Sequence, residues 1–399
     1  MTHKAPSRFP AILIGGPPQA GKSVLSYSLK EALKNAGVQC YLLRAAPDGE
    51  GDWSQEANRT LAERLRRKGS FTHDWIKFMC HDIAYRPLPF LVDVGGRPKP
   101  WDEAIFDQCT HAILLTKDPE SRLFWQKIVA KYNLILIADL TSQLSGPTVL
   151  SAEHPILEGS ITKLNRGRIA DGLIFETLLA RVKALFHYDE EELFRTHEVQ
   201  APVDLVVDIA RLYRRLNPDQ PGTTWQPLDL LKVLEDLPRD TPLALYGIGP
   251  AWLYAAVACH IAPNSFYQFD ARRGWVKPAS LITATDGKSP LAVTTRDAET
   301  FLYLHLDILQ DYLDFADEIT VALPPASTKK GIILSGKLPN WLYTGLVLFY
   351  QQAPWVAIYY PHSNQGVIVS VDEHNPGGWV AGQVVDLAGY EALISLGSG

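Results

Sequence analysis

The chain has 399 residues, of which 46% are hydrophobic and 21% are charged, and its formal net charge is −6. This length exceeds what one ordinary hydrophobic core supports, so we expect two or three domains. The negative charge argues against a broad surface for long nucleic acid, although it leaves room for a small phosphate pocket. The cysteines lack C-x-x-C spacing and no uncharged run is long enough to cross a bilayer, which predicts a cytoplasmic protein without a membrane partner.

A phosphate-binding loop begins at residue 16. The run Ala11–Ile14 has the composition of a buried strand, residues 16–23 match G-x-x-x-x-G-K-[ST], and a helical pattern follows to about Ala36. Because strand, loop and helix stand in the order that the motif requires, we predict a P-loop nucleotide site. Its amides would cradle the phosphates, Lys22 would reach the β- and γ-phosphates, and the Ser23 hydroxyl would bind Mg²⁺. The residues assigned to nucleotide binding are Gly16, Gln19, Ala20, Gly21, Lys22, Ser23 and Asp93.

Asp93 is the predicted carboxylate on the Mg²⁺ side of this site. It follows the apolar run Phe90–Val92 and opens a D-x-x-G string of the kind found in GTPases. Guanine specificity in that family also needs an N/T-K-x-D string, and Thr116-Lys117-Asp118 lacks the intervening residue. We therefore predict that the cofactor is ATP with Mg²⁺.

Strand-like and helical runs alternate after the P-loop. Strand-like runs cover residues 38–43, 111–115 and 134–138, which predicts a parallel sheet wrapped by helices. Arg166 and Arg168 stand in a loop that either clamps phosphates, as the lid of a kinase does, or is plain surface.

The pattern changes after this P-loop domain, which we assign to residues 1–168. It becomes helical, with Val203–Leu216 the clearest amphipathic segment, and the string Asn217–Gly222 then breaks it with two prolines and a glycine. The prediction is a helical connector and linker over residues 169–222.

An eight-residue string occurs twice in the second half of the chain. Residues 247–254 read GIGPAWLY and residues 336–343 read GKLPNWLY, each between strand-like runs and with a helical run following. Strand, glycine turn and proline-opened helix form a Rossmann-like half-unit, whose first helical amides suit an anion. Alternatively, the string only builds a well-packed corner. We predict two tandem repeats, a partial first copy over residues 223–289 and a second copy over residues 290–399. The residues assigned to ligand binding are Gly247, Gly249, Ser335 and Gly336.

At this repeat the chain resembles the small manganese-dependent CRISPR-associated ring nucleases of type III systems, the third family of the Csx series. The likeness is best over residues 301–371 and covers residues 243–276 of the first copy. The strings that carry it are KGIILSG at 330–336, PNWL at 339–342 and VAIYYP at 356–361. The resemblance implies a Rossmann-like fold related to CARF sensor domains, a cyclic tetra-adenylate ligand that is cleaved to linear products, Mn²⁺ as cofactor, and fusion to a P-loop (AAA-like) ATPase domain.

The two copies differ where the family carries its catalytic residues. The family pattern after the second strand is Asp-Pro-Arg, with histidines on the preceding helix. The first copy has Asp270-Ala271-Arg272 and His260, whereas the second copy has Tyr360-Pro361-His362 and no helical histidine. The resemblance therefore implies Asp270, Arg272 and His260 as catalytic residues, with Asp270 as the Mn²⁺ ligand. A turn-forming Asp, a solvated Arg and a half-buried His are the structural alternatives.

Three functions remain open from the sequence. The leading hypothesis is a ring nuclease for cyclic tetra-adenylate, coupled to an ATP-binding domain. Retention of Asp270 and Arg272 favours it, whereas the departures at Ala271, Tyr360 and His362 favour a sensor that binds the ring without cleaving it and gates the P-loop ATPase. The third hypothesis is a P-loop kinase for a nucleotide or an RNA end. Whether the protein forms a homo-oligomer is left open.

Overall fold

The computed structural model describes residues 9–45, 73–96, 98–100, 102–165, 167–220, 224–284, 289–309, 313, 315–326, 329–372 and 377–388. The chain forms two compact units. Met1–Arg195 and Ala271–Gly274 make up the first unit, and Thr196–Asp270 and Trp275–Gly399 make up the second. Across the described ranges, no helix has both the length and the apolar character needed to span a bilayer.

The first unit is built on a mostly parallel sheet, with strands in the order β2-β3-β1-β4-β5-β7-β6 among the described residues. Within the described ranges of this unit, β6–β7 is the only antiparallel pair. Its elements are β1 (Ala11–Gly15), α1 (Lys22–Asn35), β2 (Tyr41–Ala45), α2 (His73–Ala84), β3 (Phe90–Val94), α3 (Glu103–Phe106), β4 (His111–Thr116), α4 (Pro119–Lys131), β5 (Ile135–Gln143), β6 (Val149–Ala152), β7 (Leu157–Thr162) and α5 (Leu173–Phe186), followed by α6 (Glu190–Glu198), which ends beyond the unit boundary.

Helices cover this sheet, and its central strands are apolar for that reason. Every residue of β1 and β3 is buried. Leu25 and Leu29 of α1 join Ile174 and Leu178 of α5 in the same core as the strands. The predicted α/β domain with a parallel sheet is therefore present. The sequence analysis placed α5 in a separate connector, whereas the helix packs in the core of this domain.

The second unit contains two larger sheets and a two-stranded pair. Among the described residues their orders are β11-β10-β9-β8, β13-β14-β16-β17-β18-β19 and β12-β15. Its elements are β8 (Leu205–Asp208), α7 (Ile209–Leu216), α8 (Asp229–Asp236), β9 (Leu243–Tyr246), α9 (Ala251–Ile261), β10 (Phe266–Asp270), β11 (Gly274–Val276), β12 (Ser280–Thr283), β13 (Leu291–Asp297), β14 (Phe301–Ile308), β15 (Glu318–Val321), β16 (Gly331–Gly336), α10 (Asn340–Phe349), β17 (Trp355–Tyr360), β18 (Gln365–Val371) and β19 (Val384–Asp386).

The segment Val203–Leu216 is not one amphipathic helix. Its first part forms β8, which pairs in parallel with β9, and only the remainder forms α7. Leu205, Val206 and Val207 suit a strand, because β-branched and apolar side chains pack well on a pleated surface. Asp208 then begins the helix, since its Oδ1 accepts hydrogen bonds from the N–H groups of Ala210 at 2.8 Å and Arg211 at 3.0 Å.

The predicted boundary at Asn217–Gly222 lies inside the second unit. The strand before it, β8, and the strand after it, β9, are neighbours in one sheet, so this string connects elements within a unit. The two copies of the repeated string also share a single core, in which α9 packs against α10. Trp252 and Trp341 are both buried there. Proline and glycine mark a break in a helix, and they do not by themselves distinguish a loop from a domain boundary.

Candidate nucleotide site and candidate ligand site

The P-loop joins β1 to α1 and depends on glycine at two positions. Gly16 has φ of +154° and Gly21 has φ of +87°, which L side chains rarely adopt. A Cβ atom on Gly16 would lie 2.0 Å from the carbonyl oxygen of Leu115, and one on Gly21 would lie 2.6 Å from Cβ of Leu164. The loop therefore leaves no room for side chains at these positions, so its conformation requires glycine at both.

Lys22 is held over the inside of this loop. Its side chain is buried, and its Nζ donates hydrogen bonds to the carbonyl oxygens of Gly16 at 2.9 Å and Pro17 at 3.0 Å. The ammonium group is thus positioned at the mouth of the loop, where phosphate oxygens would replace or add to these acceptors.

Asp93 lies on the strand next to the P-loop strand. β3 and β1 are parallel neighbours with Ile14 opposite Asp93, so both carboxyl ends open on the same edge of the sheet. Asp93 is buried and Ser23 is half-buried in the first turn of α1. Mg²⁺ in phosphate sites takes one or two protein oxygens and completes its shell with water and phosphate. The residues present therefore fit ATP with Mg²⁺, and the ion when bound would neutralise phosphate charge.

Asp118 has a structural role that accounts for its string. It caps α4, and its Oδ1 accepts a hydrogen bond from the N–H of Ser121 at 2.8 Å. That hydrogen bond lowers the pKa of the Asp118 carboxyl. Thr116 is the last residue of β4. The string Thr116-Lys117-Asp118, which was compared above with a guanine-binding motif, is therefore the end of a strand followed by a helix cap. Arg168 is exposed, and Arg166 lies outside the described residues.

The two glycine turns of the second unit have matching geometry. Gly247 has φ of +105° and Gly336 has φ of +142°, and each turn leads to a helix whose N-cap is proline. The Oη of Tyr254 donates to the carbonyl oxygen of Gly247 at 2.5 Å, and the Oη of Tyr343 donates to that of Gly336 at 2.6 Å. Burial raises the pKa of both tyrosines. Each hydroxyl therefore stays protonated and holds its turn in place. Both tyrosines belong to the repeated string, but the sequence analysis did not assign them this role.

Asp270 lies at the same edge as the first glycine turn. β9 and β10 are parallel, so the carboxyl end of β10, where Asp270 stands, is beside the turn that contains Gly247 and Gly249. The charge of Asp270 reaches Tyr254, whose pKa is raised first by burial, lowered by a hydrogen bond from Gly249, and raised further by Asp270. The fold thus brings these predicted site residues together.

His260 lies at the other end of this unit. It stands in the last turn of α9, a helix that returns the chain from the carboxyl edge to the amino edge, where β10 begins. Its Nε2 lies 3.1 Å from the carbonyl oxygen of Leu237, with which it forms a hydrogen bond. Within one copy, His260 and Asp270 are therefore separated by the length of the crossover and do not form the single site that the resemblance implied.

Arg272 is engaged in an ion pair that the sequence did not indicate. Its Nε donates to Asp82 Oδ2 of α2, and Nε of Arg273 lies 3.0 Å from Asp82 Oδ1. The Asp82 side chain has no exposed surface. Burial raises the pKa of Asp82, and the charges of both arginines oppose that increase. A catalytic role for Arg272 stays a prediction, and its observed contact with Asp82 lies within the first unit.

The part of the chain that the structure describes contains no group of side chains suited to Mn²⁺. No three His, Cys, Asp or Glu side chains there are grouped so that they could hold a metal ion. Mn²⁺ takes several oxygen or imidazole ligands, so Asp270 alone does not make the site implied by the resemblance.

The second copy places Ser335 against a histidine that the sequence analysis did not select. Ser335 is buried at the carboxyl end of β16, directly before Gly336, and its Oγ is 3.1 Å from Nδ1 of His305. The available signal was the alternation Leu304-His305-Leu306-Asp307, which puts His and Asp on one face of a strand.

Comparison with known proteins agrees with part of this description. Residues 306–386 match the model of a family described as CRISPR-associated protein (Cas_csx3). The C-terminal region therefore resembles a CRISPR-associated family. Among solved structures, the chain is similar to one described as a plasmid partition protein of Borrelia burgdorferi B31 bound to AMPPNP, with 13% identity, a TM-score of 0.33, and coverage of 45% of this chain and 99% of that one. That likeness is too weak to carry an argument, so the P-loop assignment rests on the loop itself.

Proposed function

We propose that the protein is a CRISPR-associated ring nuclease that binds cyclic tetra-adenylate and cleaves it to linear products, with an ATP-binding P-loop unit in the same chain. One observation carries the proposal. Two turns that each have a glycine with positive φ, a proline cap and the same tyrosine contact occur in one unit, part of which matches the Cas_csx3 family.

A pair of such turns suits a ring of identical nucleotides. β9-α9-β10 and β16-α10-β17 are both strand–helix–strand units with parallel strands, which is the arrangement of a Rossmann-like repeat. Helix N-termini offer amides and a positive dipole end to phosphate. Because the ring repeats its phosphates, two similar platforms in one chain can hold it without a second protein copy.

Cleavage is assigned to the first copy. Asp270 stands at the edge beside Gly247, whereas Tyr360 ends the corresponding strand of the second copy. Opening the ring requires a 2′-hydroxyl in line with the adjacent phosphorus, and Asp270 is the group that would orient that hydroxyl and accept its proton. The new bond joins the 2′-oxygen to phosphorus, the bond to the 5′-oxygen breaks, and the 5′-oxygen takes up a proton.

A second candidate function is a sensor that binds the ring without cleaving it. The contact between Arg272 and Asp82 favours it, because the arginine expected in catalysis is instead paired with a buried carboxylate. In that function ligand binding beside Asp270 would change nucleotide hydrolysis at Lys22.

The deciding experiment incubates the full chain with cyclic tri-, tetra- and hexa-adenylate. Each is tested with Mn²⁺, Mg²⁺ or EDTA, and with or without ATP, and the products are resolved by liquid chromatography and mass spectrometry. We expect linear products from cyclic tetra-adenylate. Binding without cleavage under every condition, together with a change in ATP hydrolysis, would assign the sensor function instead.

A further inference from the structure

We propose that Ser335, His305 and Asp307 form a nucleophilic serine site for phosphorus esters in the second copy. Ser335 Oγ lies 3.1 Å from His305 Nδ1, and His305 Nε2 lies 3.4 Å from Asp307 Oδ1. A hydroxyl, an imidazole and a carboxylate in this sequence of contacts are the parts of an activated serine, whichever fold supplies them. Ser335 belongs to the second glycine turn, which the proposed function assigns to ring binding, and the serine chemistry does not depend on that assignment.

The sheet register brings these three side chains together. β14 and β16 are parallel neighbours with His305 opposite Ser335. Asp307 lies two residues further along β14, so it projects from the same face as His305. All three are near the carboxyl edge of parallel strands, where α/β sheets bind their ligands.

Exposure increases along the chain of contacts, so the serine is the most enclosed of the three side chains. Ser335 is 4% exposed, the His305 side chain 17% and the Asp307 side chain 62%. Both imidazole nitrogens have a partner. When Nε2–H donates to Asp307, Nδ1 carries the lone pair and accepts the Ser335 hydroxyl proton, which is the tautomer that a general base requires.

The first copy provides an internal comparison. Tyr246 occupies the place of Ser335, directly before the glycine turn, and its Oη lies 3.0 Å from Nδ1 of His197. His197 is 1% exposed and packs against Phe269, so this hydroxyl–imidazole pair is enclosed by aromatic rings. A tyrosine thus satisfies the packing of this position in the repeat. The second copy has a serine at this position, whose smaller hydroxyl group can act as a nucleophile.

The surroundings of Ser335 favour a phosphorus centre. Gly336 opens the turn, the amides of Lys337 and Leu338 follow, and the N-terminus of α10 lies beyond them. Oriented amides and a helix N-terminus attract anions. The exposed side chain of Lys337 adds positive charge at the same turn. The substrate class is therefore an ester of phosphoric or phosphonic acid.

Cleavage of a phosphorus ester at Ser335 needs no reagent other than water. Ser335 Oγ bonds to phosphorus as its proton passes to His305 Nδ1, and the bond from phosphorus to the leaving oxygen breaks. The leaving oxygen takes the proton from His305. Water then gives a proton to His305, attacks phosphorus, and releases Ser335, which recovers that proton.

A fluorophosphonate tests this site directly, since its phosphorus accepts the serine oxygen while fluoride leaves. We expect one adduct on the full chain, located on Ser335 by peptide mapping and absent from Ser335→Ala. His305→Gln should slow labelling by at least about 100-fold, in the range of general-base contributions, and Asp307→Asn should slow it less. Ser363→Ala, at an exposed serine of the turn after β17, is the matched control and should label as the wild type does.

Three results would overturn the proposal: no adduct on the wild type at saturating reagent, an adduct on serines other than Ser335, or an unchanged labelling rate in folded His305→Gln. Thermal unfolding of each variant establishes that it is folded, and mapping of the wild type decides the matter if a variant is not. Since labelling needs no cyclic tetra-adenylate, failure of the ring-nuclease function would leave this result unaffected.

Discussion

Replacing Arg272 with alanine should destabilise the first unit. The Asp82 carboxylate has no exposed surface, and the Arg272 side chain is 15% exposed, so the ion pair is screened little by solvent. Removing one partner of a buried pair costs about 3–5 kcal/mol. We expect the lower end, about 3 kcal/mol, because Arg273 still lies 3.0 Å from Asp82. For a unit of this size that is a fall of roughly 6–12 °C in its melting temperature.

Differential scanning calorimetry of the full chain measures this change. Arg168→Ala is the control, because this exposed arginine of the same unit should shift the transition by less than about 0.5 kcal/mol. The double variant Arg272→Ala with Asp82→Asn should cost less than the sum of its single changes, since no buried carboxylate is left without its Arg272 partner. An unchanged transition in Arg272→Ala together with loss of ring cleavage would refute the structural role and support the catalytic one.

Four further predictions follow from the two sites. Lys22→Ala should weaken ATP binding by roughly 10–150-fold, the value of a charged hydrogen bond, without loss of the fold, and unchanged affinity in calorimetry would contradict this. ATP should be bound ahead of GTP, and equal displacement of labelled ATP by the two nucleotides would show otherwise. Asp270→Ala should abolish single-turnover cleavage of cyclic tetra-adenylate while binding persists, whereas Tyr360→Ala should cleave within a few-fold of the wild-type rate. Each tenfold loss of rate corresponds to about 1.4 kcal/mol of transition-state stabilisation. Equal losses of rate in the two variants would contradict the assignment of cleavage to the first copy. Burial raises the pKa of Asp82 above 3.8, so the contribution of this carboxyl group to stability is greatest below pH 3.8 and is lost as pH rises through the pKa of the folded state. The stability of the wild type relative to Asp82→Asn should therefore fall as pH rises over that range. A difference in melting temperature that does not change with pH would contradict the raised pKa.

Features written in a few adjacent residues could be predicted from the sequence. Residues 16–23 form the predicted P-loop, because glycine positions and one lysine define it locally. The two repeated strings likewise form matching turns, since glycine, proline and tyrosine at fixed offsets specify the same hydrogen bond twice. Short apolar runs that alternate with helical stretches also predicted a parallel sheet, in which β1 and β3 are buried neighbours.

Tertiary structure decided everything that depends on distant partners. Arg272 and Asp82 are 190 residues apart in the chain, and His305 and Ser335 are 30 apart. Neither pair can be read from spacing, because sheet order and register determine which strands become neighbours. The β9-α9-β10 crossover likewise places His260 and Asp270 at opposite ends of the strands of one sheet. Local sequence determines turns and periodicity through short-range sterics and hydrogen bonds, whereas long-range packing determines which of those segments meet.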